Sequence, residues 1–69
     1  MTTIIEANAT YQTALRAFQD AQQTLYVAHG RYSDAPTPLC FAAMVEAMVV
    51  LMKADATRVL AFAAMGQIK

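Results

Sequence analysis

The chain has 69 residues, 58% of them hydrophobic, with one cysteine, one histidine and a formal net charge of zero. A domain this small buries only about 60% of its unfolded surface and usually needs a disulfide, a metal or a second chain to hold it. One thiol excludes an internal disulfide, and Cys40 with His29 falls short of the four ligands of a structural zinc site. The basic residues Arg16, Arg31, Lys53, Arg58 and Lys69 are scattered, which gives no patch for nucleic-acid phosphates.

The first element reads as a helix over about residues 3–30. Thr3-Ile4-Ile5-Glu6 fits a capping box, in which Thr3 caps a backbone N–H and Glu6 reaches back. Ile4, Tyr11, Phe18, Leu25 and Tyr32 recur at intervals of seven, and Ala7, Ala14, Ala21 and Ala28 follow each of the first four by three. A heptad repeat sustained this long marks a coiled-coil seam. Alanine along one row lets a facing helix approach to the low end of the usual 8–10 Å. The opposite face is mostly polar, carrying Gln12, Arg16, Gln19, Asp20 and Gln23, with Ile5, Tyr26 and Val27 as apolar exceptions.

A turn is expected over about 31–37, where Gly30, Ser33-Asp34, Pro36 and Pro38 punctuate the chain. Thr37 before Pro38 reads as an N-cap followed by proline at the first helical position. The second helix then runs over about 38–66, similar in length to the first. It carries its own small row, Cys40, Ala47, Ala54 and Ala61, beside Met44, Leu51, Arg58 and Met65. It is apolar over most of its circumference, which implies burial on more than one side. The apolar run from Leu39 to Met52 is too short for a membrane span, and extending it takes in Lys53, Asp55 and Arg58. The fold class expected is therefore all-α: an antiparallel two-helix hairpin in one domain, 1–69, dimerising into a four-helix bundle. The second copy is expected to pack on Phe41, Met44, Met48, Leu51, Met52, Val59 and Phe62.

The polar residues that stand out have ordinary readings. His29 near the helix end interacts with the helix dipole. Cys40 fills a small-residue position. Glu46, Lys53 and Leu60 form a strip along one edge, and Asp55 with Arg58 reads as a surface pair one turn apart. No phosphate loop, paired catalytic carboxylates, Ser-His arrangement or metal spacing occurs, so no catalysis and no cofactor are expected. Met1-Thr2-Thr3 lacks the charged start of a secretory signal, and a lone cysteine suits a reducing compartment; a cytoplasmic location is expected.

Tyrosine and arginine are enriched at binding hot spots. The candidate partner-binding residues are Arg16, Gln19 and Gln23 on the polar face and Tyr26, Arg31 and Tyr32 around the hairpin tip. In length, single hairpin and the seams Ile4/Tyr11/Phe18/Leu25 and Cys40/Ala47/Ala54/Ala61, the chain resembles small phage-encoded proteins that disable a host factor, such as quorum-sensing anti-activators and anti-CRISPR proteins. That resemblance implies a host protein as partner, such as a transcription regulator or an ATPase. Paired helices joined through Pro36-Thr37-Pro38 are also similar to small co-chaperones of type III secretion, which implies a structural subunit instead.

Overall fold

The structure is a computed structural model and describes residues 3–67. Two helices, α1 (Ile4–Asp34) and α2 (Pro38–Gly66), pack antiparallel as one hairpin, with no strand among the described residues. Each start follows from its cap. The Glu6 N–H donates to Thr3 Oγ1 at 3.1 Å, and the Cys40 N–H donates to Thr37 Oγ1 at 3.2 Å. Pro38 then occupies a first-turn position whose missing N–H costs no helical hydrogen bond.

The end of α1 lies beyond Gly30. Gly30 has an ordinary helical backbone, and Arg31, Tyr32, Ser33 and Asp34 continue the helix. What stops it is Pro36, whose ring disfavours the helical conformation in the residue before it. Ala35 accordingly swings to φ −140° and ψ 87°, while its N–H still donates to the Arg31 carbonyl at 2.9 Å. The connection shrinks to Ala35, Pro36 and Thr37. His29 is thereby moved more than a turn inside the helix, and Arg31 takes the cationic place in the last turn.

The seam between the helices is built from methyl groups. Ala7, Ala14 and Ala21 of α1 and Ala47 and Ala61 of α2 are the buried hydrophobic residues among those described. Ala28, Cys40 and Ala54 continue the two small rows half-buried. The hairpin measures 51 × 13 × 13 Å. Subtracting the roughly 4.6 Å diameter of one Cα cylinder leaves at most about 8 Å between axes, the close approach that a small-residue row permits.

Large residues flank this seam without being enclosed by it. Tyr11, Phe18, Leu25 and Tyr32 are half-buried, as are Met44, Leu51 and Met65. Aromatic contacts fix the register near both ends: Tyr11 meets Phe62 and Tyr32 meets Phe41, each pair with ring centroids 5.7 Å apart and tilted by 56°. These distances are in the favoured range for tilted rings.

Three substitutions test the packing. A Cβ added at Gly30 meets nothing within 4 Å, so Gly30→Ala is expected to raise unfolding free energy by about 0.5–1 kcal/mol, measured by denaturant titration. A loss of stability would mean that the helix needs glycine there. Ala14→Leu forces a larger side chain into the seam and is expected to cost about 1–3 kcal/mol. Ala17→Leu, on an exposed position, should stay within about 0.5 kcal/mol of the parent.

Candidate interaction surface

The heptad rows fix which side chains the hairpin uses and which it leaves outside. Phe41, Met48, Asp55 and Phe62 form one flank of α2, level with Tyr32, Leu25, Phe18 and Tyr11 of α1 in the register that the aromatic pairs define. Asp55 therefore stands where the row has an apolar residue elsewhere, opposite Phe18.

Arg58 explains the exception. It occupies the large row of α2 and lies half-buried against α1, its guanidinium carbon 4.7 Å from the centroid of the Phe18 ring. Its Nη2 donates to Asp55 Oδ1 at 2.6 Å. The Asp55 carboxylate, with a smaller contribution from the Tyr11 hydroxyl, raises the guanidinium pKa above its ordinary value despite the opposing effect of burial. The charge is thus retained over an apolar seam by one carboxylate and one ring face. The Asp55–Arg58 pair one turn apart is partly exposed, and Arg58 also reaches α1 through the Phe18 ring. Arg58 Nε is buried without a hydrogen-bond partner, so the arrangement carries an unsatisfied donor.

The outer face of α2 is apolar and open. Ala42, Val49, Ala56 and Ala63 recur along it at intervals of seven, with Val45, Met52 and Val59 between them, and all are exposed. Met52 is 69% exposed and Val59 50%. Phe41, Met48 and Phe62 border this row on one side; Leu39 and Leu60 border it on the other with Glu46 and Lys53 between them. Of the exposed large apolar residues described on α2, only Val50 lies off this band. No described helix is long and apolar enough to cross a membrane. The accessible surface is 5367 Å², whereas a compact monomer of 7.5 kDa has about 4,200 Å².

Among the residues expected to meet a second copy, Phe41, Met48, Met52, Val59 and Phe62 lie on this open band, whereas Met44 and Leu51 are half-buried in the hairpin. Ala42, Val45, Val49, Ala56, Ala63, Leu39 and Leu60 share the band with them. Ala42, Val45, Val49, Ala56 and Ala63 fall, with Met52 and Val59, at alternating steps of three and four.

The polar face of α1 holds Arg16, Gln19 and Gln23, all exposed, and Tyr26 extends it with 77% of its surface open. Arg31 is exposed beside a shallow groove that runs between the helices past Val27, Leu39 and Glu46. Tyr32 sits apart from this group, half-buried against Phe41 on the flank of the hairpin. No cluster of three His, Cys, Asp or Glu side chains arranged to hold a metal occurs among the described residues. Cys40 is half-buried in the small row.

Comparison with family models, with curated proteins and with solved structures finds no match.

Removing the carboxylate should expose the cost of the seam cation. Asp55→Ala is expected to lower the melting temperature by a few degrees, because the guanidinium stays charged against α1 without its partner. Adding Arg58→Met should recover the loss. Equal melting temperatures for parent and Asp55→Ala would place the pair outside the packing.

Proposed function

We propose that the protein is a small homodimeric interaction module that binds another protein and inhibits or regulates it, with no chemistry of its own. The observation that carries this reading is the division of the surface. α2 presents a continuous open apolar band, and the far side of the hairpin presents a polar face with Arg16, Gln19, Gln23 and an exposed tyrosine. An apolar band of this extent on a small chain is characteristic of a protein contact. The polar face has the Tyr and Arg composition of a reversible binding surface.

In this reading the apolar band is closed by a second copy. The partner meets α1 through Arg16, Gln19, Gln23 and Tyr26, with Arg31 at the tip. Tyr32 lies apart from that surface, packed against Phe41. A host transcription regulator or ATPase fits the resemblance to phage-encoded inhibitors. A co-chaperone or structural subunit would use the same apolar band for a different chain, and would be poorly folded when purified alone.

The test compares wild type with an Arg16→Ala/Tyr26→Ala double variant. Both are exposed positions, so both proteins should have the same mass by light scattering and the same melting temperature within about 2 °C. Captured on resin from a lysate of the cells in which the protein acts, wild type should retain a protein that the variant holds at least tenfold more weakly. Equal retention by both would remove this face from the binding surface. A monomeric or molten wild type would overturn the homodimer.

A further inference from the structure

We infer that the open band of α2 is a second coiled-coil seam, built to receive α2 of a second copy antiparallel and in one register. The inference rests on the homodimeric reading above and names its contact. Ala42, Val45, Val49, Met52, Ala56, Val59 and Ala63 follow one another at alternating steps of three and four. That is the spacing of a coiled-coil core, and it lies on the side of α2 turned away from α1.

Two charges choose the alignment. On this seam Leu39, Glu46, Lys53 and Leu60 form one flanking row. In an antiparallel pair, that row runs beside the same row of the second copy in reverse order. Read backwards, Leu39-Glu46-Lys53-Leu60 becomes leucine, lysine, glutamate, leucine. One register therefore sets Glu46 against Lys53 of the second copy, Lys53 against its Glu46, and Leu39 against its Leu60, all at once. A shift by one heptad in either direction opposes Glu46 to its own copy or Lys53 to its own copy. A parallel pair leaves Glu46 beside Phe41 of the second copy and Lys53 beside its Met48, with neither charge compensated.

The register selected by charge is also the one selected by shape. It sets Ala42 against Val59 of the second copy, Val45 against its Ala56 and Val49 against its Met52. In the first two layers a small residue faces a larger one. On the other flank it sets Phe41 against Phe62 of the second copy. Within each hairpin Tyr32 and Tyr11 already hold those two rings. Area agrees as well. A standard interface covers about 800 Å² per partner. Removing that from 5367 Å² brings each chain to about 4,600 Å², near the roughly 4,200 Å² of a compact protein of this mass.

The experiment is charge exchange on the full chain, read by sedimentation equilibrium at low salt. Glu46→Lys alone and Lys53→Glu alone each replace two attractive pairs by two repulsive ones. Each should raise the dimer dissociation constant at least about tenfold. Mixing the two variants in equal amounts should restore association as a heterodimer, and so should combining both substitutions in one chain. Restoration on mixing separates a lost contact from a lost fold. In a Cys40→Ala background, Val49→Cys with Met52→Cys should give a covalent dimer on oxidation, and Ala43→Cys with Val50→Cys should not. A wild-type dimer indifferent to every charge exchange overturns the seam and leaves the homodimer standing. A wild-type monomer overturns both.

Discussion

The distance between the two helix axes governs most of this structure. Ala7, Ala14 and Ala21 meet a partner row containing Ala47 and Ala61, and side chains that short bring the backbones to the lower limit of helix packing. Nothing large fits between them. Tyr11, Phe18, Leu25 and Tyr32 therefore lean over the edge of the seam and find Phe62, Arg58 and Phe41 there. Such an interior removes little apolar area from water, because each buried methyl contributes only about 0.8 kcal/mol. The bulky apolar residues of α2 are left on the outside.

The sharpest sequence signals were those written within one helix. The seven-residue rows of α1 and α2 and the caps at Thr3 and Thr37 were all legible, since each depends on residues a turn or two apart. The end of α1 was misplaced because Gly30 was weighed as a helix breaker in its own right. In the structure it tolerates a helical backbone, and the stop is a steric effect of Pro36 on Ala35. Asp55 and Arg58 read as a surface pair from their spacing within α2 alone. The ring that gives Arg58 its place, Phe18, comes from the other helix. Tyr32 reads as part of the hairpin tip for the same reason, since its neighbour Phe41 belongs to α2.

The outer band of α2 was hidden by abundance instead of by distance. When nearly every position of a helix is apolar, several rows have the same composition, and periodicity loses its contrast. Packing against α1 removes the row of Met44, Leu51 and Met65 from consideration by half-burying it. What is left open then has a period of its own. The small residues Ala42, Ala56 and Ala63 acquire a meaning that composition cannot assign, because they leave room for a facing side chain.

A helix that is apolar on two faces has a specificity problem, because shape discriminates poorly among registers of similar side chains. In the proposed pairing, Glu46 and Lys53 would address that problem more than they would address affinity. Exposed ion pairs contribute little to stability, but a register that opposes like charges loses the favourable pair and adds a repulsive one. Specificity is that difference. The proposed alignment also has a consequence for binding. Joining the hairpins through α2 orders the helices as α1, α2, α2, α1, so the two polar faces carrying Arg16 and Tyr26 look outward on opposite sides. A partner that is itself an oligomer would then meet two equivalent sites on one rigid unit. Each contact could remain modest in strength, because the second binding event becomes intramolecular once the first has formed.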